Sequence, residues 1–162
     1  MIQTYMMDWL NDPMNSLSKV LATFFGVGYF PIAPGTLTSL IVVVLYRLFL
    51  YKLNWPIYLT IVVIYFFVGV YVSNKYSKKT NQKDPSNIVI DEAFGQLLVL
   101  FRQGTALFPL FLCFFIFRVL DIIKPLPIRK LENFSGGWGI MTDDLLAAIY
   151  TGIIVNLYLI VK

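Results

Sequence analysis

Residues 57–73, between Asn54-Trp55-Pro56 and a lysine-rich stretch, run without a single charged side chain. A helix of that length covers about 25 Å at about 1.5 Å per residue, close to the thickness of a bilayer's hydrocarbon core. Residues 37–51 carry only Arg47 as a charge, 105–117 carry none, and 145–161 form a last apolar run. Residues 20–34 are apolar and aromatic but broken by Gly26, Gly28, Pro31 and Pro34, the pattern of an interfacial or re-entrant helix ending in a loop. With 58% hydrophobic and 14% charged residues and a mean hydropathy of +0.73, the chain is too greasy for an ordinary soluble domain. The expected fold is an all-α, multi-helix integral membrane protein with short, partly re-entrant helices, built as one domain over residues 1–162. Several helices of about 15 residues reach only about 22 Å, so tilting or partial insertion is expected.

Three absences narrow the chemistry. The net charge of +4 comes without a dense basic stripe, which argues against nucleic acid as a partner. One cysteine excludes an intrachain disulfide and a thiolate zinc site. No histidine is present, so histidine-dependent hydrolase and phosphatase mechanisms are excluded. Residues 1–18, with acids at Asp8 and Asp12 and no basic segment before an apolar core, make a poor signal peptide.

Against that background the stretch 84–96 stands out, because Asp91 and Glu92 sit inside an apolar run. Asp84 suits an N-cap and Pro85 a first helical position, so a helix from Asp84 to Phe101 is expected. Asp84, Ile88, Asp91 and Gly95 would then share a face, with Gly95 leaving open space a turn beyond Asp91. Two carboxylates in apolar surroundings call for a cation, a proton or a basic partner.

Residues 118–144 supply the partners. Arg118 and Asp121, three apart, share a helix face, and Lys124 before Pro125 marks a helix end, where a cation suits the dipole. Residues 135–139 read as a flexible glycine loop whose amides approach an anion, and Thr142 as the N-cap of a last helix with Asp143 and Asp144 in its first turn. If the apolar runs form hairpins, the 34–36 turn, the polar loop 74–83 and the region after Arg118 share one membrane side. That side carries Lys75, Lys78, Lys79, Lys83, Lys124, Arg129 and Lys130, against Lys52 and Arg102 on the other, so it is the cytoplasmic one. Carboxylates for a hard cation and basic groups for a phosphate, both at bilayer level, are the inventory for metal-assisted phosphoryl chemistry on a lipid, with Mg²⁺ favoured over zinc.

The chain resembles the phosphatidylglycerophosphatase A family. The matching blocks are 28–37, Asp84-Pro85, 88–92, Gly95-Gln96, Phe117-Arg118, Asp121, Lys124-Pro125, Pro127-Ile128, Gly136-Gly137, 139–141 and Asp143-Asp144. They run in family order over roughly residues 26–152. Where the family often has glycine before the serine of the first block, this chain has Thr38 before Ser39. The resemblance implies a multi-pass enzyme of the bacterial inner membrane, its site facing the cytoplasm. It would hydrolyse phosphatidylglycerophosphate to phosphatidylglycerol and phosphate with Mg²⁺. Carried over by position, Asp91, Glu92, Asp143 and Asp144 look like metal ligands or a water-activating base, with Asp84 and Asp121 as further ligands or orienters. Arg118 and Lys124 would hold phosphate, and Thr36 would bond it.

Other readings fit less well. Cys113 and Arg118 are one residue too close for the loop of cysteine phosphatases, and the signature of CDP-alcohol phosphotransferases does not occur. A small transport or assembly protein with a buried acidic pair is the reading from a different class, since intramembrane carboxylates mark ion pathways. Against it, the charges cluster at one face.

Overall fold

The computed structural model describes residues 13–131 and 134–161, so Asp8 and Asp12 lie outside the described residues. Seven α-helices and no strand occur among the described residues: α1 (Pro13–Ala22), α2 (Pro34–Leu48), α3 (Trp55–Thr80), α4 (Ile90–Val99), α5 (Leu107–Ile123), α6 (Ile128–Leu131) and α7 (Gly137–Val161). Short 3₁₀ turns at Val27–Tyr29 and Leu50–Lys52 flank α2.

The shortest of the apolar helices is the centre of the bundle. Helix α4 packs against α2, α3, α5 and α7, and Ile90, Ala93, Phe94, Leu97 and Val99 are all buried. Helices α2 and α4 run parallel. Gly35 at the start of α2 lies against Glu92 at the start of α4, and Tyr46 near the end of α2 donates its hydroxyl to the Gln103 carbonyl just beyond α4. Helices α3 and α7 run antiparallel and cross closely, because Gly69 faces Met141 and Gly137 sits on the Val70 carbonyl. A Cβ on Gly137 would collide with that carbonyl and stand 2.8 Å from the Asn74 amide nitrogen.

Four boundaries differ from expectation, each for a local reason. The helix expected from Asp84 begins only at Ile90. In a helix begun at Pro85, the Val89 N–H would bond the Pro85 carbonyl; instead it donates to Ala22 O at 3.0 Å, while Ile88 N–H closes a turn onto Pro85 O at 2.9 Å. Asp84 and Ile88 therefore do not share a helix face with Asp91. The polar stretch after Ser73 continues α3 to Thr80, ending where Asn81 adopts a left-handed conformation and returns its N–H to Ser77 O. Lys78 and Lys79 in the last turn suit the helix C-terminus. Helix α7 starts at Gly137, not at Thr142, so the glycine stretch is its first turn and the Thr142 hydroxyl bonds back to Trp138 O at 2.7 Å. Likewise Pro34, Gly35 and Thr36 open α2 rather than standing before it, with Pro34 in the first turn where its missing N–H costs nothing.

The exterior is apolar. Ile64, Phe67, Tyr71, Phe111, Phe115, Ile153 and Leu157 are each more than half exposed. Helices α3 and α7, with 26 and 25 residues, are long and apolar enough to cross a membrane, and only 33% and 28% of their most apolar stretches are buried. Helices α2 and α5, with 15 and 17 residues, reach only about 22 and 26 Å at about 1.5 Å per residue.

Candidate active site

Four helix ends meet at one end of the bundle. The start of α4 brings Asp91 and Glu92, the last turns of α5 bring Arg118 and Asp121, the start of α2 brings Gly35 and Thr36, and the second turn of α7 brings Asp143 and Asp144. The Asp91 and Glu92 carboxyl groups lie within hydrogen-bonding reach of each other, and so do those of Asp121 and Asp144. Acid pairs this close need a shared proton or a cation. Asp91 also senses Asp143 and Asp144 across the α4–α7 contact.

The bases are already engaged. Arg118 Nη1 stands 2.6 Å from Asp121 Oδ2, the pair expected from their spacing, and 3.9 Å from Glu92 Oε1, so one guanidinium ties α5 to α4. Lys124 caps α5 in a left-handed conformation, at the helix end expected from the following proline. Its ammonium reaches Asp143 Oδ2 at 2.6 Å, while Asp143 Oδ1 accepts the Asp144 amide at 3.0 Å. Lys124 thus reaches the acidic end of the bundle from the end of α5.

Asp84 stays outside the helices, exposed in the loop before α4. It nevertheless belongs to the same end, since Asp84 and Lys83 line a cleft of about 140 Å³ together with Gly136, Gly139 and Asp143. Thr36 is half-buried at the mouth of the same region, one residue after Gly35. Asp84, Asp91, Glu92, Arg118, Asp121, Lys124, Asp143 and Asp144 are thus at one end of the bundle.

Two features were not legible. Gly35 has no Cβ because a Cβ there would collide with Glu92 Oε1 and stand 3.0 Å from Arg118 Nη2. The space expected beyond Gly95 is filled: the Phe117 ring occupies it, with Cε2 2.6 Å from where a Cβ would lie. Tyr65 of α3 is a further missed neighbour, within electrostatic reach of Asp91. Glycines of close approach carry no signal apart from the block in which they occur.

The donor set can be tested against a cation. Asp91 Oδ1, Glu92 Oε2 and Asp144 Oδ2 are buried without a hydrogen-bond partner, and such oxygens from separate elements are what a hard, oxygen-preferring ion satisfies. Among the described residues no three acidic side chains are drawn tightly enough to enclose an ion. Two of the acids, Asp121 and Asp143, are held instead by Arg118 and Lys124. The donors are carboxylate oxygens, the type that a hard divalent cation such as Mg²⁺ prefers.

Comparison with known proteins gives this arrangement a class. The chain is 38% identical over 147 residues to a putative phosphatidylinositol-3-phosphatase of Bacteroides thetaiotaomicron, covering 86% of this chain and 91% of that protein. It is 38% identical over 152 residues to phosphatidylglycerophosphatase A of Haemophilus influenzae, covering 90% and 93%. To the Escherichia coli protein of that name it is 37% identical over 138 residues, covering 84% and 80%. No solved structure matches. These relatives make the chain a phosphoric monoester hydrolase. The family model for phosphatidylglycerophosphatase A matches residues 20–159, and the chain belongs to that family. Membership in a family of phosphatases sets aside the transport or assembly reading.

Proposed function

We propose that the protein hydrolyses the terminal phosphate of phosphatidylglycerophosphate at the cytoplasmic face of a bacterial inner membrane, with Mg²⁺ as cofactor. The observation that carries this reading is the convergence of three partnerless buried carboxylate oxygens with Arg118 and Lys124 at one end of an apolar bundle. Asp91, Glu92 and Asp144 would hold the ion, with Asp143 and Asp84 completing the set. Bound there, Mg²⁺ supplies charge neutralisation at the phosphoryl oxygens. Arg118 and Lys124 orient the phosphate and offset its charge, and Thr36 donates a hydrogen bond to it. Asp121 keeps the Arg118 guanidinium aimed, and the Asp91–Glu92 pair takes the proton of the attacking water.

The apolar exterior supports insertion into a bilayer, with α3 and α7 spanning and the shorter helices α2 and α5 tilted or ending below the far surface. The lysines at the end of α3 and the basic residues after α5 lie at the same end as the acids, and the positive-inside rule makes that end cytoplasmic. The family model and two of the named relatives favour the glycerol phosphate lipid over the inositol lipid.

Phosphate release by the purified protein tests the proposal. Release from phosphatidylglycerophosphate should cease with a chelator and return with Mg²⁺, and phosphatidylinositol-3-phosphate should be the poorer substrate. Full activity in a metal-free preparation contradicts the cofactor assignment, and a preference for the inositol lipid contradicts the substrate.

A further inference from the structure

Helices α2 and α4 bury a polar layer directly beneath the acid pair. Gln96, Thr38 and Ser39 are each 0% exposed, yet both side-chain polar atoms of Gln96 and both hydroxyls lack a hydrogen-bond partner. Helical threonines elsewhere in the chain are not left so: Thr60, Thr142 and Thr151 each donate to the carbonyl four residues earlier. Register places the three side chains at one level. Tyr46 and Gln103 are bonded at an offset of 57 residues, Gly35 meets Glu92 at the same offset, and that offset pairs Ser39 with Gln96. Gln96 in turn follows Glu92 by four residues, one turn along the same face of α4. Glu92 Oε2 is itself buried without a partner.

We propose that Gln96, backed by Ser39 and Thr38, is a positioning residue for Glu92. A primary amide is the neutral side chain that donates and accepts at once. A turn of its side chain would let Nε2–H donate to Glu92 Oε2 and Oε1 accept from the Ser39 or Thr38 hydroxyl, joining atoms that are without a partner in this structure. The amide thereby fixes the rotamer of an acid whose other oxygen faces Arg118. Buried polar groups are costly where they go unsatisfied, and an apolar side chain of the same shape removes that cost. Three such residues stacked beneath one acid cost stability, and the acid is the charged group within their reach.

The inference rests on the phosphatase reading, and Gln96→Met, which keeps length and loses both hydrogen bonds, separates the two. Turnover per folded molecule should fall at least about tenfold with the Michaelis constant within about twofold of the parent, because the acid acts in the transition state. Without Mg²⁺ the thermal midpoint should equal or exceed the parent's, because the polar atoms that Met replaces are unpaired in this structure. Ser39→Ala should lower turnover less, and adding it to Gln96→Met should cost nothing further, since the two act through one chain of contacts. Parental turnover, a change confined to the Michaelis constant, additive losses or a lowered thermal midpoint would each overturn the inference. A parent inactive on every lipid phosphate sinks the functional reading alone. The thermal arm still decides here, because a structural glutamine must leave the Gln96→Met protein less stable.

Discussion

At Gly35 one methyl group separates folding from chemistry. The residue sits in the first turn of α2, against Glu92 Oε1 and Arg118 Nη2, and both of those groups belong to the candidate site. Gly35→Ala should push the carboxylate and the guanidinium apart while leaving the helix itself better formed. A displacement near 1 Å at a reacting group costs on the order of 100-fold in rate, so turnover per folded molecule should drop by about that factor. Gly104→Ala is the matched control, since a Cβ there meets nothing within 4 Å, and it should retain parental activity. Equal activities in the two variants would remove Glu92 and Arg118 from the catalytic end. The residue types of the site were readable in the chain because charge is rare in it. The contact at Gly35 was not, because close approach is a property of two helices at once.

Among the elements, α3 and α7 depend on their crossing. Gly137→Ala drives a Cβ into the Val70 carbonyl, which is backbone and cannot rotate away. Overpacking of this kind costs about 1–3 kcal/mol, so the unfolding midpoint should fall, and activity with it, because Asp143 and Asp144 ride on the same helix. Gly152→Ala lies farther along α7 where nothing stands within 4 Å. It should stabilise the helix by about 0.5–1 kcal/mol. Both are read by thermal or denaturant unfolding in detergent. The helices themselves were legible as uncharged runs. Their ends were not, because each is set by a partner far away in sequence: the Ala22 carbonyl delays α4, and α3 lets α7 begin at Gly137. The lysines after Ser73 resemble a loop by polarity, yet polarity does not break a helix, and they extend α3 by two turns.

As a whole the molecule is apolar outside and charged at one end within. Its topology is tested by single cysteines in a Cys113→Ala background, which removes the one native, buried thiol. Cysteines at Lys83 and Ser135 should label from the same, cytoplasmic side, and those at Lys52 and Gly104 from the other. Labelling of Lys83 and Ser135 positions from opposite sides would break the shared site. The central claim is that Asp91 and its neighbours perform the hydrolysis rather than merely hold the bundle together. Asp91→Asn preserves size and removes the charge a cation or an attacking water requires. The decisive measurement is phosphate release from phosphatidylglycerophosphate per folded molecule of this variant, beside an Asp8→Asn control from outside the described residues. Turnover should fall by at least about 1000-fold while the variant remains monodisperse and the control stays near parental activity. A folded Asp91→Asn protein with normal turnover would contradict the account.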